Sequence, residues 1–253
     1  CGTPGGHSSP MPADEALRVF FLDVGQGDCT FIVPPRQEAD PVLFDCRDDY
    51  VAERFVADHQ ITNLRAVVAS HFDLDHVRGM LPFLKTHFQA NRTLDRLVMF
   101  PDRVPKAGRN AALRALMEQA IAWERNRPHD GFTLKASHRD GEGPLVLASG
   151  EGWSIELVLP WVGSVSQTLL EGGQDPNANS AVLRVTRGGT SLLIGGDAPL
   201  GSWERLEEER RRATAIRIAH HGGDILEGGR AWTSFSDLYD AVDAELAAVS
   251  VGT

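Results

Sequence analysis

Three short apolar runs of strand type each end abruptly in histidine or aspartate, and this repetition constrains the fold more than any other feature of the chain. Residues 64–69 lead through Ser70 into His71-Phe72-Asp73-Leu74-Asp75-His76. Residues 191–194 lead into Gly195-Gly196-Asp197, and residues 215–219 into His220-His221-Gly222-Gly223. Short apolar runs bounded by turn residues read as buried strands. The pattern therefore predicts a sheet architecture whose strand ends deliver imidazoles and carboxylates to one edge. Glycine beside those residues lets the backbone turn tightly or approach an ion.

The residue types point to metal chemistry. Four ionisable groups lie within the hexapeptide His71 to His76, and bringing them together at the edge of a packed core is costly unless they are compensated. A divalent cation compensates neutral imidazole nitrogens and carboxylate oxygens at once. Taken singly, the hexapeptide also reads as a solvated turn, Asp197 as an ordinary turn residue and His220-His221 as a surface pair. Three such groups in one chain favour a metal site.

Size and composition bound the setting. With 253 residues and 42% hydrophobic content the chain can bury a sizeable core, and one α/β domain over 17–253 is expected after a flexible N-terminal segment, 1–16. No apolar run approaches the roughly 20 residues that cross a bilayer, so no membrane segment is expected. A net charge of −10 argues against a broad, non-specific nucleic-acid surface. The basic groups Arg205 with Arg210-Arg211-Arg212, and Arg103, Lys106, Arg109 and Arg114, read as solvated helix faces, since Glu204 and Glu207 to Glu209 interleave with the first. Cys1, Cys29 and Cys46 are too few for a disulfide framework. That composition suits the reducing cytoplasm. A chain starting at Cys1 also admits a lipidated, membrane-tethered or extracytoplasmic protein, or a boundary within a longer one.

Along the chain, strands are expected at 17–24, Cys29–Val33 and Val42–Cys46, with a glycine turn at 25–28. Helical spacing of Val51, Phe55, Val56 and His59 starts a helix at Asp49, and a second starts near Gly79 through Leu81, Phe83, Leu84 and Phe88. A strand at 97–100 precedes a helix over 111–127, whose Leu113, Leu116, Met117, Ala120 and Ile121 form one apolar stripe. Residues 128–150 allow one or two short strands. Trp153–Leu159 alternates as a strand, 183–186 and 191–194 form a hairpin around Arg187-Gly188-Gly189, and 199–212 reads as one charged helix. After the strand at 216–219 come a short helix, Phe235–Val242, and a strand at 246–251. That order suits a layered α/β/β/α sandwich.

The motifs in this order resemble the metallo-β-lactamase superfamily, and more narrowly the metallo-β-lactamase-like domain of bacterial competence proteins, the DNA-uptake channels. Leu22-Asp23-Val24-Gly25-Gln26-Gly27-Asp28 matches the opening motif of that group, and His71, Asp73, Asp75 and His76 match its H-x-D-x-D-H form. Asn179-Ser180-Ala181-Val182-Leu183, Leu193-Ile194-Gly195-Gly196-Asp197, His220-His221-Gly222 and Ser250-Val251-Gly252 follow as expected. The resemblance implies a four-layer αββα sandwich with the site at one edge between the sheets.

It also implies a dinuclear hydrolase in which a metal-bridging hydroxide attacks the substrate. His71 and Asp73 would serve one metal, Asp75 and His76 the other, Asp197 would bridge, and His220 would be a further ligand. His221 is left open as a ligand in place of His220, as an acid for the leaving group, or as a hydrogen-bond partner of a ligand. Asp75, His221 and Asn179 are the residues expected to act in catalysis. Asp73, in place of a second histidine, makes the set richer in oxygen and gives Mn²⁺ equal standing with Zn²⁺. Two divalent ions would balance three carboxylates and a hydroxide, and such a clamp suits a phosphodiester, DNA included. Two alternatives stay open: hydrolysis of a lactone, thioester or choline-type phosphoester, and a non-catalytic regulatory module of a DNA-uptake or membrane assembly.

Several positions depart from the family pattern. The stretch Leu157-Val158-Leu159-Pro160-Trp161 lacks the histidine ligand often found there, and His129 and His138 read as surface residues. Arg78 replaces a small residue after the hexapeptide, and Asp224 replaces a serine after the paired histidines. Asn177 stands with Asn179 as a candidate for substrate or ligand-supporting contacts. The chain ends at Thr253, where the competence-type domain continues, so its C-terminal end reads as truncated.

Overall fold

A computed structural model gives the fold and describes residues 15–35, 38–99, 111–126, 133–135, 143–160, 177–226 and 231–249. The expectations for residues 1–14, for Arg103, Lys106, Arg109, His129 and His138, and for Ser250-Val251-Gly252 fall outside those residues.

The first half builds one sheet. Strands β1 (Arg18–Phe21), β2 (Cys29–Val33) and β3 (Val42–Cys46) pair antiparallel, and β4 (Asn63–Val68), β5 (Thr93–Val98) and β6 (Thr133–Lys135) add in parallel to β3. Parallel neighbours need crossovers. Helix α1 (Asp49–Asp58) links β3 to β4, and α2 (Leu74–Val77) with α3 (Met80–Gln89) links β4 to β5. Asp48 caps α1, its carboxylate accepting from Val51 N at 3.0 Å. Helix α4 (Ala111–Asn126) precedes β6 and buries Leu113, Leu116 and Ala120. Ile121, expected in that stripe, is exposed because it lies about 100° around the helix from Ala120.

The second half mirrors this order. Strands β7 (Leu145–Gly150), β8 (Trp153–Leu159), β9 (Val182–Arg187) and β10 (Thr190–Ile194) form an antiparallel meander. β11 (Ala215–Arg217) and β12 (Leu246–Ala248) then add in parallel. Instead of one helix over 199–212, two short helices occur, α5 (Leu200–Glu204) and α6 (Glu208–Arg211). Trp203 is fully buried and donates its indole N–H to Ala198 O at 2.9 Å, and the chain turns after it so that Leu206 is also buried. Helix α7 (Phe235–Val242) starts with a reciprocal cap between Ser234 and Asp237.

Alternation along the strands creates three cores and hence four layers. Phe31, Leu43, Leu64 and Val67 face the first helical layer with Phe83 and Leu84, whereas Ile32, Val42, Phe44 and Val68 face Trp153, Ile155, Leu183 and Ile194 in the other sheet. Leu193, Ile216 and Val182 pack on Trp203, Leu238 and Val242 in the second helical layer. The result is the expected αββα sandwich. Among the described residues no helix is long and apolar enough to cross a membrane. β5 starts earlier than expected because Leu94 and Leu97 break simple alternation, and β12 ends at Ala248, with Val249 outside the strand.

Candidate metal centre

The strand ends of both sheets meet at one edge. Ala181 N donates to Ser70 O at 2.8 Å and His220 N to Gly196 O at 3.0 Å, so main-chain bonds tie the loop after β4 to the turn before β9, and the loop after β11 to the one after β10. Gly196 sits at φ +49, where a Cβ would lie 2.8 Å from the Ser70 Cβ. Only a residue without a side chain lets Asp197 come this close to the hexapeptide.

The hexapeptide leaves β4 extended and closes into α2, with Asp73 at its N-cap position and Asp75 and His76 within the turn. His71 and His76 are buried, while Asp73 and Asp75 remain partly open to solvent. His220 and His221 occupy a short 3-10 turn, Ala219–Gly222, in which both have φ 51. Two successive non-glycine residues in the left-handed region are uncommon and together cost about 2 kcal/mol or more. The conformation turns the two rings toward different oxygens of one carboxylate.

That carboxylate is Asp197. Its Oδ1 lies 3.3 Å from His76 Nε2 and 3.9 Å from His221 Nε2. Its Oδ2 lies 3.6 Å from His71 Nε2 and 3.9 Å from His220 Nε2. Asp73 Oδ2 stands 3.8 Å from His71 Nε2, and Asp75 Oδ2 stands 3.6 Å from His221 Nε2. By the nearer oxygen of Asp197, His71 and His220 lie on one side and His76 and His221 on the other, while ligand atoms of His71, His76 and Asp197 also lie within 4.8 Å of one another. His220 has a left-handed backbone and a contact between its Nδ1 and Asp224 O at 2.6 Å, and its Nε2 faces the Asp197 oxygen that His71 also approaches.

His71 Nε2, His76 Nε2, His221 Nε2 and Asp197 Oδ1 are all buried without a hydrogen bond. Buried polar atoms left this way are expensive, and their convergence from four residues fits a bound cation. Burial, with the charge on His76, holds the His71 pKa well below the usual imidazole value, so His71 offers a neutral nitrogen. Burial also opposes charge on His76, but Asp45 and Asp197 outweigh it and keep that ring's pKa well above the usual value. Asp197 is depressed far below the usual carboxylate range: burial resists this, and contact with His76, then the charges of His76, His71 and His221, overcome it. Asp75 is lowered chiefly by its pairing with His221, whose own pKa that pairing raises.

Three supporting residues escaped the sequence reading. Asp45, at the end of β3 and fully buried, accepts from Ser70 N and Ser70 Oγ, both at 2.7 Å, and lies 2.8 Å from His76 Nδ1. Asp28, at the end of the glycine turn, is buried in an ion pair with Arg217 of β11. An acidic residue inside an apolar strand signals Asp45, and Arg217 inside β11 gives a similar signal, since charges are seldom buried unpaired. Asn179 is buried on the turn just before the main-chain link from Ala181 to Ser70, and Asn177 O accepts from Ser180 N at 2.8 Å. Arg78 is exposed after α2, and Asp224 acts on His220 through its main-chain oxygen.

No family model matches the chain, and no curated protein matches it. Solved structures do. The short form of human tRNase Z superposes with TM-score 0.52 at 14% identity, covering 92% of each chain. A variant of the CmlA β-hydroxylase superposes with TM-score 0.50 at 15% identity, covering 96% of this chain and 47% of that one. The metallo-β-lactamase fold protein YhfI from Bacillus subtilis gives TM-score 0.48 at 13% identity, with 94% and 86% covered. The chain adopts the metallo-β-lactamase fold, two mixed sheets face to face with helices on both outer sides.

Proposed function

We propose that the protein is a dinuclear metal-dependent hydrolase acting on a phosphodiester. The observation that carries this reading is the division of ligand-type atoms around Asp197, whose two oxygens face two different sets of imidazole nitrogens. One ion would be held by His71, Asp73, His220 and Asp197 Oδ2, and the other by His76, Asp75, His221 and Asp197 Oδ1. His220 then supplies the nitrogen that the stretch before Pro160 does not.

Bound divalent cations would lower the pKa of a water and draw charge from phosphoryl oxygens. The residues do the rest. Asp197 holds the two sets at a fixed spacing, His71 stays neutral through burial, and Asp45 orients His76. Asp73 and Asp75, both partly open to solvent, form the face that a substrate meets. Asn179 is proposed to contact the substrate or a ligand. Three carboxylates among the ligands suit Mn²⁺ as well as Zn²⁺, and two cations would favour a phosphodiester over a neutral ester because its non-bridging oxygens can reach them. The fold leaves the reaction open, since proteins named a tRNase and a β-hydroxylase share it. The competence-type motifs make DNA the phosphodiester of first choice, and the sparse cysteines make the cytoplasm the compartment of first choice.

The test is metal content and hydrolysis together. Purified protein should carry close to two ions per chain, cleave bis(p-nitrophenyl) phosphate and single-stranded DNA with Mn²⁺ or Zn²⁺, and lose activity on chelation. Asp197→Asn should lose both ions and activity. Metal-free wild-type protein, or faster turnover of a lactone or thioester than of any phosphodiester, overturns the reading.

A further inference from the structure

Across the His221 ring from Asp197, a second buried charge faces its other nitrogen. His221 Nδ1 lies 3.6 Å from Asp28 Oδ1, and both His221 Nδ1 and Asp28 Oδ2 are buried without a hydrogen bond. Nδ1 can donate and a carboxylate only accepts. Asp28 Oδ1 also pairs with Arg217, but a carboxylate oxygen has two lone pairs, so a few tenths of an ångström of closure, or one buried water, gives His221 Nδ1 its acceptor. Asp28 Oδ2 lies 3.8 Å from His76 Nδ1, which already has Asp45 at 2.8 Å. Of the two rings beside Asp28, His221 is therefore the one whose Nδ1 has no other acceptor.

Asp28 is held from every side. Its N–H donates to Asp75 O and its own carbonyl accepts from Arg47 N, both at 3.0 Å. Gly27 leaves no room for a side chain, since a Cβ there would fall 2.3 Å from Asp75 O. The guanidinium of Arg217, 2% exposed, pairs with the carboxylate, itself 2% exposed, from the opposite sheet. Burial pushes the Asp28 pKa above the usual carboxylate value, and the charge of Arg217 is the largest influence that pulls it back.

We infer that Asp28, held in place by Arg217, is the positioning residue of His221. It accepts a hydrogen bond from Nδ1–H, so the Nε2 lone pair points at the Asp75 and Asp197 side. The inference rests on the dinuclear reading above and adds to it the residues that orient one ligand. Partners of this kind typically contribute roughly 10- to 100-fold to metal affinity.

Removing one member of a buried ion pair strands the other, so the test removes both. Asp28→Val/Arg217→Met should melt near wild type without metal, yet bind one of its two Zn²⁺ ions roughly 10- to 100-fold more weakly by calorimetry. Asp28→Asn/Arg217→Met, which keeps an acceptor oxygen, should recover most of that loss. A purely structural pair would restore stability and leave both affinities unchanged, which overturns the inference. In zinc-loaded wild type, ¹⁵N-edited NMR should show His221 protonated at Nδ1, and an unprotonated or metal-bound Nδ1 overturns it without any variant. Wild type that fails to bind two ions sinks the dinuclear reading itself; wild type that binds two while the valine variant binds them equally well sinks only the role of Asp28.

Discussion

Asp45 and Ser70 are joined twice, the Ser70 N–H and hydroxyl donating to separate oxygens of one carboxylate at 2.7 Å each. The bond pair fastens the end of β3 to the first residue of the metal loop. The same carboxylate lies 2.8 Å from His76 Nδ1, so one buried group sets the loop's path and one ligand's orientation.

Asp45→Ala should therefore destabilise the protein by about 3 kcal/mol or more, because it leaves a buried N–H, hydroxyl and imidazole short of an acceptor. Metal content should fall with stability. Urea unfolding of metal-free and metal-loaded protein checks both, and an Asp45→Ala protein with wild-type stability contradicts the network's importance.

His220 and His221 should be separable by substitution. His220→Ala is expected to weaken the ion shared with His71 and Asp73, and His221→Ala the ion shared with Asp75 and His76. Cobalt substitution followed by absorption spectroscopy should show a different ion perturbed in each variant. The same ion lost from both would collapse the two sets into one.

Gly196→Ala should cost about 1 to 3 kcal/mol, since the residue has positive φ and the added methyl meets the Ser70 Cβ at 2.8 Å. Because Asp197 is next in the chain, weaker metal binding should accompany it. Equal thermal and metal-binding midpoints in wild type and variant would show that the loops have slack.

His87 gives a pH dependence independent of the site. It is buried on α3 with its Nε2 2.9 Å from Thr93 O, and burial lowers its pKa from the ordinary 6.5 to about 4. Between those values the unfolded chain binds the proton and the folded chain does not, so stability falls as pH drops from 6.5 toward 4. The loss amounts to at most about 3 kcal/mol. His87→Gln keeps a donor for Thr93 but cannot titrate, and the difference between the two stability curves should vanish above pH 6.5 and grow below it. Parallel curves would remove His87 from the acid response.

Much of this architecture was legible in the chain itself. Strands such as Cys29–Val33, Val42–Cys46 and Trp153–Leu159 stand out because they are short, apolar and bounded by turn residues, and the hexapeptide stands out because charge density at a strand end is unusual. The break between α5 and α6 was hidden, since helical charge patterning continues through it and only the burial of Trp203 interrupts the helix. The separate directions of the His220 and His221 rings are not legible, because adjacent histidines carry no record of backbone handedness, and φ 51 at both decides where each ring points. Asp28 and Arg217 are 189 positions apart. Neither a local pattern nor a spacing rule reaches across that distance.

The two sheets make the centre together: the first supplies His71, Asp73, Asp75 and His76, and the second supplies Asp197, His220 and His221. An ion seated there acts as a removable cross-link between halves of the sandwich that are distant along the chain. Its binding energy is then also cohesion energy, about 4 kcal/mol per site when free metal exceeds the dissociation constant a thousandfold. Cellular metal supply would thus set how firmly the two halves hold together, and with it how long the protein survives unfolding and proteolysis.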